Sequence, residues 1–135
     1  MHRRFLGLAL AALVVVLPAC GGGDDNGDSS SAACPAQVET KAVENGTISI
    51  CASDIKYDVK TITTAPGPLT VTLTNNGSLN HTFKVDGVDP GFELKTPSKG
   101  DTQTGTVTLE AGEYEFVCTV SGHEQQGMKG KILVS

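Results

Sequence analysis

Hydrophobic and polar positions alternate along most of this chain. In "LTVTLTN", Leu69, Val71 and Leu73 fall on one parity and Thr70, Thr72 and Thr74 on the other. That is the period of two imposed by a half-buried strand. "TVTLE" and "YEFVC" repeat it, with Tyr114, Phe116 and Cys118 on one face, and "HTFKV" places His81, Phe83 and Val85 together. "TISIC" and "DIKYDV" supply earlier strands, and "KGKILV" closes the chain. Between them lie turn signals: Asn45-Gly46, "APGP" at 65–68, Asn76-Gly77, Asp86-Gly87, Pro90-Gly91 and Ala111-Gly112. The sequons at Asn45, Asn76 and Asn80 are taken as turn chemistry. No segment sustains an apolar period of 3.6, and no internal repeat is visible. The pattern predicts an all-β domain of seven to eight short strands, a Greek-key β-sandwich or barrel. Residues 92–105 are the least strand-like stretch and are expected to form a longer connection.

The first residues do not belong to this pattern. "MHRRFLGLALAALVVVLPAC" starts basic at Arg3 and Arg4, continues through an apolar run and ends in small residues, the order of an export signal. The apolar run is short against the roughly 20 residues of a spanning helix. "LPAC" resembles a bacterial lipobox, which implies cleavage before Cys20 and a lipid on that thiol. An ordinary secretory signal with a coincidental cysteine is the competing reading, and the export route, general or twin-arginine, stays open. The Gly/Asp/Ser run that follows cannot bury apolar surface and reads as a flexible tether. Residues 1–19 are thus expected to be a signal peptide, 20–33 a lipidated tether and 34–135 the folded domain. This places the protein outside the cytoplasm, lipid-anchored to a bacterial cell membrane.

Charge narrows the partners. The whole chain carries −5, and loss of Arg3 and Arg4 with the signal takes the side-chain balance to −5 − 2 = −7. An acidic surface of this kind argues against nucleic acid.

The chemistry concentrates in one place. Without the signal, the histidines left are His81 and His123, and the methionine left is Met128. "VCTVSGHEQQGMKG" sets Cys118, His123 and Met128 at five-residue steps in a loop rich in glycine. Gly122, Gly127 and Gly130 permit the tight path that would aim all three toward one centre. His81, at the start of another strand, belongs to the same loop-rich end. Two imidazoles, a thiolate and a weak axial thioether make the ligand set of a blue-copper electron-transfer site. Each residue taken alone has a bland explanation, as core filler or surface; the set together does not.

"NHTF" followed by "YEFVCTVSGHEQQGMKGKILV" resembles the cupredoxins, the small blue-copper proteins such as plastocyanin, azurin and halocyanin. The resemblance runs from "ICASDIKYDV" to the end of the chain. It implies one copper ion held by His81, Cys118, His123 and Met128, with His123 the solvent-edged ligand. It also implies that Thr82, beside the first histidine, ties the two ligand loops together. With Cys20 assigned to lipid and Cys118 to copper, Cys34 and Cys51 are left as a possible disulfide in an oxidising compartment.

The function implied is a membrane-tethered one-electron carrier, a monomer that meets redox proteins (a cytochrome, oxidase or reductase) at the loop end around His123. Val88, Pro90 and Phe92 are expected to add apolar surface there. Copper trafficking or storage, and a non-redox β-sandwich interaction module, are the alternatives. No enzyme is expected. Both histidines are claimed by the metal, so none is free as a general base, and no phosphate or dinucleotide motif occurs.

Overall fold

A computed structural model describes residues 33–135. The export signal, Cys20 and nearly all of the tether lie outside the described residues. The domain contains ten strands: β1 (Val38–Ala42), β2 (Thr47–Ser53), β3 (Lys56–Tyr57), β4 (Val59–Thr64), β5 (Gly67–Asn75), β6 (His81–Val85), β7 (Phe92–Thr96), β8 (Thr102–Leu109), β9 (Gly112–Val117) and β10 (Lys129–Val134). They form a Greek-key β-sandwich of two mixed sheets. One has the order β1-β4-β10-β9-β6-β7 and the other β3-β2-β5-β8. Parallel pairs join β1 to β4, β4 to β10 and β2 to β5.

The alternating parity builds the core. Ile48 and Ile50 of β2, Leu69, Val71 and Leu73 of β5, and Leu109 of β8 face inward from the smaller sheet. Phe83, Phe116 and Ile132 meet them from the larger. Each such buried side chain contributes about 1.5–3 kcal/mol. The outward parity of β5 and β8 is threonine. Thr70, Thr72 and Thr74 each lie within hydrogen-bond distance of Thr106, Thr104 and Thr102, at 2.9, 2.9 and 3.1 Å. These cross-strand pairs pin the register on the solvent face.

Ten strands replace the expected seven to eight, for three reasons. β1 shows almost no burial alternation, because it is an edge strand with both faces largely wet. "DIKYDV" splits, since Tyr57 pairs with β2 whereas Val59 starts a strand of the other sheet. Residues 92–105 are not a long connection: they hold all of β7 and the start of β8, joined by a short turn at 97–101. Ala111-Gly112 does mark a tight turn, but the two strands it joins are not paired. β8 and β9 belong to different sheets, so the chain crosses the sandwich there.

The expected apolar surface at Val88, Pro90 and Phe92 also needs correction. His81 pairs with Thr96 at one end of β6, and Val85 pairs with Phe92 at the other. The rise of a strand therefore puts the Val88–Phe92 turn about 13 Å or more from His81. These residues sit at the opposite pole of the sandwich from the histidine.

Candidate metal centre

The two ligand-bearing segments meet at one end of the larger sheet. β6 begins with His81, and β9 ends at Val117, one residue before Cys118. The loop from Cys118 to Met128 closes on itself. The Cys118 N–H donates to Met128 O at 3.0 Å, and the Met128 N–H donates to His123 O at 3.0 Å. His123 N–H donates to Val120 O at 3.0 Å, and Gly127 N–H to Glu124 O at 2.9 Å. Gly122 and Gly127 adopt φ of 83° and 95°, the left-handed region that glycine enters without strain. Gly130 does not turn the loop. It lies inside β10, where it serves close packing.

His81, Cys118 and His123 are all buried, and their ligand atoms lie within 4.8 Å of one another. Cys118 Sγ is 3.5 Å from His123 Nδ1. The imidazole rings have centroids 5.2 Å apart. Met128 is fully buried, and its backbone is bonded to both Cys118 and His123. His123 keeps 6% of its surface exposed against 1% for His81, so it is the histidine nearer solvent.

These residues fit a soft metal ion. Both ring nitrogens of His81 are buried and have no hydrogen-bond partner among the described residues. An orphaned buried polar atom of this kind costs about 1–3 kcal/mol unless something binds it. Burial first, and then the neighbouring His123, hold the His81 imidazole below its ordinary pKa. It is therefore neutral, the form that binds a metal. Cys118 is the free cysteine among the described residues. Nitrogen, nitrogen and thiolate, with a thioether in the same loop, are donors suited to copper.

A second layer holds the donors. Thr82 N–H points at Cys118 Sγ over 3.5 Å. Thr82 Oγ1 accepts the Thr119 N–H at 2.7 Å. Thr82 thus links the strand of His81 to the segment after Cys118. Beneath it, the Tyr57 hydroxyl donates to Thr82 O at 2.5 Å. The Tyr57 ring packs edge-on against Phe83 and Phe116, at 5.6 and 5.4 Å. Burial, followed by the nearby Cys118, pushes the phenol far above its usual range, so it stays a donor.

Sequence reasoning missed three supports: Tyr57, Asn75 and Thr96. Asn75 ends β5 on the core parity set by Leu69, Val71 and Leu73, and that was the available signal. Its amide donates to Leu79 O and Thr96 O at 2.8 and 2.9 Å, and its Oδ1 accepts the Gly77 N–H at 2.9 Å. Thr96 in turn donates to His81 O at 3.2 Å. The β5–β6 loop is thereby fixed just before His81. Asn75→Ala strands several buried groups and is expected to cost about 3 kcal/mol, read as a lowered denaturant midpoint.

Cys34 is bonded to Cys51, with Cα atoms 5.5 Å apart. Asn76 Nδ2 donates to Cys51 Sγ at 3.3 Å, so the bridge abuts the loop that leads to His81. Asp58 anchors the Cys51 strand from the other side, accepting the Cys51 N–H at 2.9 Å and pairing with Lys41 at 3.0 Å.

A family model described as a cupredoxin-like domain matches residues 29–134. The chain belongs to this family. Solved structures agree with the cupredoxin-like fold. A dithionite-reduced auracyanin from the photosynthetic bacterium Roseiflexus castenholzii is similar at 24% identity, with 67% of this chain and 98% of that one covered and a TM-score of 0.61. Reduced rusticyanin is similar at 25% identity, with 71% and 84% covered and a TM-score of 0.58. Auracyanin A, a "blue" copper protein from Chloroflexus aurantiacus, is similar at 21% identity, with 70% and 100% covered and a TM-score of 0.57. No curated protein matches the chain. For this cupredoxin-like domain, the buried His-Cys-His cluster lies at the end of the sandwich where β6 starts and β9 stops.

Proposed function

We propose that this protein is a type 1 copper protein that carries single electrons between redox proteins outside the cytoplasm, tethered to the membrane by a lipid on Cys20. The observation that carries this reading is the buried cluster of His81, Cys118 and His123, with both His81 nitrogens unpartnered. Copper bound there would supply a one-electron couple, Cu(II) to Cu(I), with the electron taken from one redox protein and given to another. The chain's own part is to hold His81, Cys118, His123 and Met128 in place. Their loop is closed by its own hydrogen bonds, so little rearrangement is needed when charge changes.

Burial also keeps substrate away from the donors. Among the described residues, surface hollows lie around Lys41–Ser49, around Val88–Phe92 and on either side of the disulfide, and none of these is lined by a proposed ligand. That arrangement favours electron transfer over catalysis, which needs an open position. His123, the more exposed histidine, is the proposed exit for the electron.

The test is to load the domain with Cu(II) and record its visible spectrum and voltammogram. An intense thiolate-to-copper band and a reversible one-electron wave are expected. A colourless product overturns the copper reading, and a coloured product with no reversible wave turns it toward storage. Met128→Leu conserves volume and should cost under about 1.5 kcal/mol of stability. It is expected to keep the colour and raise the potential, because a lost axial donor penalises the more highly charged state more.

A further inference from the structure

We propose that Glu93 acts as a positioning residue: through the hydroxyls of Thr119 and Thr82 it decides how many hydrogen bonds reach the Cys118 sulfur, and so tunes the reduction potential. This rests on the copper reading above.

A continuous path leads from the surface of β7 to the sulfur. Thr119 Oγ1 donates to Glu93 Oε1 at 2.6 Å. Thr119 Oγ1 lies 2.9 Å from Thr82 Oγ1. Thr82 Oγ1 lies 3.7 Å from Cys118 Sγ, and Thr82 N lies 3.5 Å from the same atom. The outer carboxylate oxygen of Glu93 faces Lys95 Nζ at 3.1 Å.

Counting protons fixes the direction of each bond. A hydroxyl has one proton to give, and an ionised carboxylate has none. The Thr119 hydroxyl, first, and then Lys95 hold the Glu93 carboxyl below the usual carboxylate range, so it is ionised and accepts. The Thr119 proton is therefore committed to Glu93. Its oxygen then faces Thr82 as an acceptor. The Thr82 proton has two destinations, the Thr119 oxygen at 2.9 Å and the sulfur at 3.7 Å. The shorter contact to oxygen wins. Of the two Thr82 groups that face the sulfur, the backbone N–H alone is then left to donate to it.

Removing either Glu93 or the Thr119 hydroxyl reverses this. Without Glu93, the Thr119 proton turns to Thr82 Oγ1, and the Thr82 proton turns to the sulfur. Without the Thr119 hydroxyl, the Thr82 proton has the sulfur as its remaining acceptor. Either change gives the sulfur a second donor. Hydrogen bonding around the cysteine sulfur is one of the levers on a blue-copper potential. A second donor withdraws electron density from the thiolate, which disfavours the oxidised state and makes promotion of a sulfur electron harder.

The experiment compares the copper-loaded wild-type protein with Thr119→Val, Glu93→Leu and the double variant. Thr119→Val is nearly isosteric, and Glu93 is a partly exposed strand residue, so all three should fold. Each single variant is expected to raise the potential and move the thiolate-to-copper band to shorter wavelength. The double variant is expected to match Thr119→Val, because Glu93 acts through that hydroxyl. A Glu93→Leu shift of equal size in the Thr119→Val background would show a bare field effect and overturn the relay. Unmoved potential and spectrum in Thr119→Val would overturn it too. Absence of the band in the wild type would instead bring down the copper reading itself, and this inference with it.

Discussion

Cys118→Ser is expected to leave a folded domain with no intense visible band on adding Cu(II), and with copper affinity lowered by far more than the roughly 10–100-fold that loss of a supporting residue costs. Two facts make the change this selective. Cys118 is the free cysteine among the described residues, so no neighbouring thiol can replace it. The position also tolerates serine structurally. Its N–H is bonded to Met128 O, and the Thr82 N–H that faces the sulfur can equally meet a hydroxyl. The stability cost should stay near 1–2 kcal/mol, the ordinary range for a single core substitution. Visible absorption and a denaturation curve on the same sample separate the two effects. A Cys118→Ser protein that kept the blue band would mean that the sulfur is not a ligand.

The candidate cluster was legible because its residue types are scarce. Outside the export signal the chain has two histidines and one methionine, all of them in the proposed set. The strands with one wet face were legible from their period: β5 alternates from Leu69 to Asn75, and β8 does so from Gly105 to Leu109. What escaped was structure that periodicity does not encode. β1 is wet on nearly every residue, and β3 is two residues long, so neither leaves a pattern. β7 alternates over only part of its five residues, from a half-exposed Phe92 to a buried Thr96, and its polar members hid it. Thr96 and Asn75 are buried polar residues whose partners are backbone carbonyls distant in sequence, and spacing cannot announce such a bond. No spacing in the sequence marks Glu93, which the fold brings beside Thr119. Hydrophobicity gives no direction along a strand, so the apolar residues at 88–92 lie at the pole opposite to the one expected from sequence.

Gly130→Ala is expected to destabilise the domain by about 3 kcal/mol, the upper end of what overpacking usually costs and a large part of the roughly 5–15 kcal/mol that holds a domain of this kind together. The glycine lies on the inward parity of β10, opposite Phe116 of β9. A Cβ there would stand 2.2 Å from the carbonyl oxygen of Lys60 and 2.3 Å from the Phe116 ring. Neither neighbour can yield cheaply. The carbonyl belongs to β4, which is locked between β1 and β10, and the ring is stacked on Phe83 and met edge-on by Tyr57. Gly127→Ala provides the contrast. That position has φ of 95° but nothing within 4 Å of the added carbon, so its cost is backbone strain alone, about 1–2 kcal/mol. Denaturant midpoints of the two variants therefore distinguish close packing from loop turning. A Gly130→Ala loss no larger than that of Gly127→Ala would show that β4 and β9 do not close over this residue. Because Phe116 lies two residues before Cys118 on the same face, the clash should reach the site as well. The Gly130→Ala protein is expected to bind copper more weakly even where it remains folded, whereas a purely remote destabilisation would leave the affinity of the folded fraction unchanged.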